Sequence, residues 1–165
     1  MKFMIILGID PGTTRIGYAL LDKKENIGVD LITYGCLELP NKSQIERLAE
    51  ISRLISDLIA QYHPEVLAIE KLFFTKNAKT AFSVSEARGV IISRASSSNL
   101  NVLEFTPLEV KVATTGYGRA EKKEIQKMIC RLLNLEKTPQ PDDASDAIAI
   151  GLTACYTNQK LIIKP

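Results

Sequence analysis

One histidine, three cysteines and an almost even balance of charge are the scarcities of this chain, and each narrows what it does. His63, in Tyr62-His63-Pro64 at the end of a helical pattern, reads as structural, and its isolation weakens every Ser-His or Cys-His mechanism. Cys36, Cys130 and Cys155 are odd in number, lack C-x-x-C spacing and have no local base. They read as reduced, mostly buried packing thiols of a cytoplasmic protein. No apolar run approaches membrane-spanning length, and the N-terminal one is too short for a signal-peptide core and is broken by Asp10. Repeats, linkers and low-complexity tracts are absent. The net charge of +2 is too small to identify an acidic partner, but Lys and Arg concentrate around residues 71–79 and 111–131.

What is present is the composition of an ordinary globular domain: 165 residues, 45% hydrophobic and 24% charged. Residues 1–158 read as one domain and 159–165 as a C-terminal tail. The unbroken apolar run 3–10 predicts a strand buried on both faces, followed by the turn Pro11-Gly12-Thr13-Thr14 and strands near 15–22 and 28–38. Ser43 caps a predicted helix over 44–62, with Ile45, Leu48, Ile51, Ile55, Leu58 and Ile59 on one face. A strand at 66–70, a helix at 79–98 and a strand at 101–105 follow. A short helix opened by Thr106-Pro107 and helices near 121–134 and 142–157 complete the chain. Three consecutive strands followed by crossover units imply an α/β fold, with a mixed five-stranded sheet (first three strands antiparallel) and helices on both faces.

Four acids stand where such elements begin or end. Asp10 closes the first strand, Glu70 closes the fourth, and Asp143 and Asp146 open the last helix. If they converge they repel, since two unit charges about 4 Å apart cost roughly 4 kcal/mol at an effective dielectric near 20. Shifted pKa values or a hard divalent cation must offset that cost, and we expect the cation. Taken one at a time, Asp10 is equally well read as capping the turn and Asp143 as capping the helix. Glu70 at the end of a buried strand has no obvious local job.

The motifs Gly8-Ile9-Asp10-Pro11-Gly12, Gly17-Tyr18, Ile69-Glu70, Phe73 and Lys76-Asn77-Ala78 occur in this order, followed by Ala87-Arg88-Gly89-Val90 and Ala120-Glu121-Lys122. The last is Asp143-x-x-Asp146-Ala147-x-Ala149-Ile150. Together they resemble the RuvC family of crossover (Holliday) junction endodeoxyribonucleases, within the ribonuclease-H-like superfamily. The resemblance implies that Asp10, Glu70, Asp143 and Asp146 are catalytic acids holding two Mg²⁺ ions (Mn²⁺ substituting) for phosphodiester hydrolysis, with Lys122 assisting at the phosphate. Oxygen ligands without histidine or cysteine suit those ions rather than Zn²⁺. Asp142 and Asp143 both share a helical face with Asp146, and periodicity alone does not choose between them. The family pattern selects Asp143, leaving Asp142 as a cap or solvated neighbour.

The resemblance further implies paired symmetric nicks in four-way DNA junctions, a homodimer, and a RuvA–RuvB branch-migration complex as partner. Phe73, in a loop with two aromatics among three lysines, is expected to stack at the junction crossover, with Phe74 packing beneath. Lys76, Lys111, Arg119, Lys122 and Lys123 are the expected DNA contacts, while Lys127 and Arg131 extend a basic helix stripe without an assigned role. The 79–98 helix is apolar on two sides, Val84, Ala87, Ile91 and Ala95 on one and Phe82 and Ile92 with Gly89 on the other. The second side fits a two-fold partner or another helix of the same chain. Two other functions remain open: a ribonuclease-H-like nuclease with a different nucleic-acid substrate, and a non-catalytic junction-binding module. The Asp10-Pro11-Gly12-Thr13-Thr14 turn also resembles the phosphate loop of actin- and Hsp70-type ATPases. Those clamp a nucleotide between two such domains, and this chain has the length of one and no P-loop, so no nucleotide cofactor is expected.

Overall fold

The structure, a computed structural model, describes residues 3–24, 28–39, 43–72 and 78–157. Ten elements occur in the order β1 (Phe3–Asp10), β2 (Arg15–Lys24), β3 (Gly28–Glu38), α1 (Gln44–Tyr62), β4 (Val66–Glu70), α2 (Ala78–Ser97), β5 (Asn101–Phe105), α3 (Pro107–Thr115), α4 (Lys122–Leu132) and α5 (Asp142–Tyr156). They form one five-stranded sheet in the order β3-β2-β1-β4-β5. β1 pairs antiparallel with β2 and β2 with β3, whereas β1–β4 and β4–β5 are parallel. The expected mixed sheet is therefore present. Its central strand, β1, and the parallel neighbour β4 are both unbroken apolar runs up to their terminal acids.

Period-two alternation sorts the strand residues onto two cores. Leu7, Ile9, Leu20, Leu67 and Ile69 pack with Ile51, Ile55 and Leu58 of α1 and Ala87, Ile91 and Ala95 of α2. Met4, Ile6, Ala19, Leu21, Val66 and Ala68 pack with α5, along with Val110 of α3 and Ile129 of α4. α5 is the central helix of that layer, buried at every position from Ala147 to Cys155. Two glycines let it sit so low. A Cβ at Gly8 would overlap the Ala147 carbonyl, and one at Gly17 would overlap the Asp143 carbonyl.

Local chemistry sets the helix ends. Ser43 and Glu46 form a reciprocal capping box at α1 (Glu46 N to Ser43 Oγ 3.3 Å, Ser43 N to Glu46 Oε2 3.0 Å). Thr106 and Glu109 do the same at α3, behind Pro107 in the first turn. His63 is the left-handed C-cap of α1 (φ 48°), donating its backbone amide to Ile59 O. α4 is shorter than predicted at both ends. Glu121 is extended at its N-cap, and Asn134 takes a positive φ of 52° just beyond it.

The two apolar sides of α2 separate in the structure. Ala87, Ile91 and Ala95 are fully buried, and half-buried Ile92 packs on the same core. Phe82 is 74% exposed and Gly89 has open space above its Cα. α1 and α2 are tied by Gln44 Nε2 to Glu86 Oε2 (2.8 Å) and Arg94 Nη2 to Ser56 Oγ (2.7 Å). Cys155 is buried, which pushes its thiol up to about 12, while Cys36 and Cys130 are only half-buried. No helix of the described residues is long and apolar enough to cross a membrane. The expected tail, 159–165, lies outside the described residues.

Candidate active site

Strand parity aims two acids at the same face. Asp10 shares the parity of Met4 and Ile6, and Glu70 that of Val66 and Ala68, so both project to the α5 side of the sheet. Their strands are adjacent and parallel, with Ile9 opposite Ile69, so both carboxylates reach the same edge. α5 delivers the other two. Asp10 is paired with Gly17 across the β1–β2 ladder, and Gly17 is the residue on which the Asp143 backbone rests. Asp146 lies one helical turn on, facing Glu70 across a cleft of about 180 Å³ that Pro107, Val110, Lys111, Ile125, Ala149 and Ile150 also line.

The electrostatics register this convergence. Burial, followed by the charges of Asp146, Glu70 and Asp143, raises the Asp10 carboxyl to about 7 against a weaker pull from Lys122. Burial and then Asp146 raise Glu70. Lys122 Nζ donates to Asp146 Oδ2 (3.1 Å) and pairs with Asp142 Oδ2 (3.2 Å). Burial works against the Lys122 ammonium, yet these two carboxylates hold its pKa above the usual lysine value. Asp146 moves up as well. Attraction to Lys122 would lower it, but burial is the larger effect. Among the described residues, no three acids, histidines or cysteines close into a formed metal cage. The carboxylates are near enough to perturb one another.

Of the expected DNA contacts, Lys111 lines the cleft and Lys122 reaches the acids, while Arg119 and Lys123 lie exposed around the start of α4. Phe73, Lys76 and Phe74 lie outside the described residues. Asp142 is not a cap, since Pro141 holds that position. It is an exposed first-turn acid that pairs with Lys122 and accepts from Gln126 Nε2 (3.3 Å).

Sequence reasoning missed three neighbours of the site. Cys36, opposite Gly17 on β3, places its Sγ 4.0 Å from Asp143 Oδ2. Gln126 reaches Asp142 from one turn into α4. Arg88 of α2 donates from Nε to the Glu70 carbonyl (2.9 Å) and forms an ion pair with Glu104 of β5. Only Arg88 had a signal available, a guanidinium beside the buried face of a helix, inside a motif already noted for another reason.

A mixed β3-β2-β1-β4-β5 sheet bearing acids at the edge of its two central parallel strands is the ribonuclease-H-like class of α/β fold. Residues 6–154 match the family model for crossover junction endodeoxyribonuclease RuvC. Curated relatives of that name include the protein of Petrotoga mobilis, 48% identical over 156 residues and 94% of each chain. Another is that of Halothermothrix orenii, 46% identical over 94% of this chain and 93% of its own. Among solved structures, Thermus thermophilus RuvC in complex with Holliday junction substrate superposes with a TM-score of 0.86 at 31% identity, covering 93% of this chain and 94% of that one. The yeast mitochondrial Holliday junction resolvase Ydc2 shares the fold at a TM-score of 0.69 and 13% identity, over 91% and 77% of the two chains. The chain belongs to the RuvC family of crossover junction endodeoxyribonucleases.

Proposed function

We propose that this chain is a homodimeric, Mg²⁺-dependent resolvase that cuts Holliday junctions by paired nicks in recombination and repair. The observation that carries the reading is the meeting of Asp10, Glu70, Asp143 and Asp146 at one edge of the sheet in a member of this family. The donor set fits a hard divalent cation, being all carboxylate with no histidine. Asp10 in particular is held up to about 7 by burial and neighbouring charge, a cost that a divalent cation offsets. Asp10 and Glu70 would hold the metals from the sheet, with Asp143 and Asp146 completing the set from α5. When bound, a metal pair supplies an activated water and a clamp on the entering and leaving oxygens of an in-line displacement.

The remaining residues position the DNA. Lys122 places a firmly protonated ammonium beside Asp146, where it can stabilise charge developing on the phosphate. Lys111 lines the same cleft as Glu70 and Asp146, and Arg119 and Lys123 extend the basic surface outward for backbone contacts. Phe73 and Lys76 follow Glu70 in sequence and are proposed as crossover and phosphate contacts. The exposed Phe82 and the open surface at Gly89, beside a groove lined by Leu48, Ala49 and Val90, support a two-fold partner there. By family analogy the enzyme works in the cytoplasm beside the RuvA–RuvB complex.

Purified protein offered a synthetic four-way junction, a linear duplex and an RNA–DNA hybrid, with Mg²⁺ or EDTA, tests the reading. Symmetric nicking of the junction alone, only with Mg²⁺, is the expected result. Preference for the hybrid would transfer the chain to a different ribonuclease-H-like substrate, and junction binding without cutting would make it a binding module.

A further inference from the structure

Glu70 is the last residue of a five-residue strand, and the loop that follows carries the proposed DNA contacts. A metal ligand at the end of a strand needs something to fix its backbone. The ladder supplies one restraint, from Lys71 N to Phe105 O at 2.7 Å. The second comes from a different layer. Arg88, whose side chain is 18% exposed, reaches from α2 and donates through Nε to the Glu70 carbonyl at 2.9 Å. The Nη2 end of the same guanidinium pairs with Glu104, on the neighbouring strand β5.

We propose that Arg88 is a positioning residue, a strut that holds Glu70 in metal-binding geometry through its main chain, with Glu104 holding the strut. The choice of atoms supports this. A guanidinium on the Glu70 carboxylate would compete with a cation for the same oxygens. Attached instead to the carbonyl, it orients the residue and leaves the carboxylate available. Glu104 neutralises the guanidinium, so the strut adds little positive field to the acid cluster. Planar geometry matters here, because one side chain must direct two N–H groups to different strands. A lysine ammonium lacks that fixed fork.

The inference rests on Glu70 being a metal ligand, so the experiment includes Glu70→Gln. Arg88→Met, Arg88→Lys and Glu104→Gln are compared with it and with the unaltered protein. Mn²⁺ binding is followed by electron paramagnetic resonance, Mg²⁺ titrations of junction cutting are run alongside, and junction affinity is measured in EDTA. Loss of a partner that orients a metal ligand weakens metal affinity by about 10–100-fold. Arg88→Met should therefore raise both the Mn²⁺ dissociation constant and the Mg²⁺ half-saturation by about tenfold or more. Its maximal rate should recover at high Mg²⁺, with junction affinity in EDTA unchanged. Arg88→Lys should fall between, and Glu104→Gln should shift in the same direction by less.

Wild-type Mn²⁺ binding by Arg88→Met, beside an impaired Glu70→Gln, would overturn the strut and leave the site intact. Normal Mn²⁺ binding and cutting by Glu70→Gln would overturn the site, and the strut with it. If Arg88→Met does not fold, Arg88→Lys and Glu104→Gln decide the matter, and unchanged metal affinity in both would refute it.

Discussion

Replacing Asp10 with Asn should stabilise the metal-free protein while abolishing cutting. The folded state holds the Asp10 carboxyl at about 7 rather than 3.8. The native protein therefore binds a proton that the unfolded chain releases anywhere between those values. Where the native state binds more protons, stability falls as pH rises. The penalty is absent below about pH 4 and complete above about pH 7, and at 1.36 kcal/mol per unit it amounts to about 4 kcal/mol. Asn carries no such penalty. In EDTA, the difference in unfolding free energy between Asp10→Asn and the unaltered chain should widen by about 4 kcal/mol from pH 4 to pH 8. Urea denaturation followed by circular dichroism across that range measures it, and the widening matters rather than the offset, because the Asn amide makes its own hydrogen bonds. Mg²⁺ at pH 8 should narrow the gap by stabilising only the unaltered chain. Asp10→Asn should still bind a four-way junction without cutting it. A gap independent of pH in EDTA would refute the claim that burial, with the neighbouring charges, raises the Asp10 carboxyl.

Lys122→Met removes the ammonium beside Asp146 and should slow cutting by about 100-fold or more, with junction affinity within a few-fold, as measured by single-turnover kinetics. A rate within twofold would remove Lys122 from the chemistry. Gly17→Ala places a Cβ against the Asp143 carbonyl, where backbone must move, so it should cost about 3 kcal/mol in urea denaturation and depress cutting at all Mg²⁺ concentrations. Gly89→Glu meets nothing within 4 Å, so the fold should keep its melting temperature while light scattering reports a monomer. A persistent dimer would place the two-fold contact elsewhere.

The elements were legible because each carries a local cause. β1 is unbroken apolar sequence, α1 has Ser43 before a 3.6-residue stripe, and α3 begins at Thr106-Pro107. The acids were legible as strand and helix termini, and only family resemblance separated Asp143 from Asp142. Hidden from the sequence were relationships that exist only after packing. Nothing at Arg88 announces a carbonyl 18 positions earlier as its acceptor. Nothing at Lys122 reveals that two α5 carboxylates will hold it. Cys36 approaches Asp143 only because Gly17 lies between them in the assembled sheet. The ends of α4 were misjudged by a residue or two because the stripe of Lys123, Lys127 and Arg131 carries no stop signal, whereas Glu121 is still extended and Asn134 turns the backbone.

The proposed site draws on β1, β4 and α5, so its parts leave the ribosome far apart in time. Asp10 emerges first, and the helix carrying Asp143 and Asp146 is the last regular element among the described residues. That helix also fills the middle of one of the two cores, so the step that completes the fold and the step that arms the blade are the same. Nascent or truncated chains lacking it would hold half a ligand set and no hydrolytic capacity. The proposed ligand set is thus complete only once that core is closed.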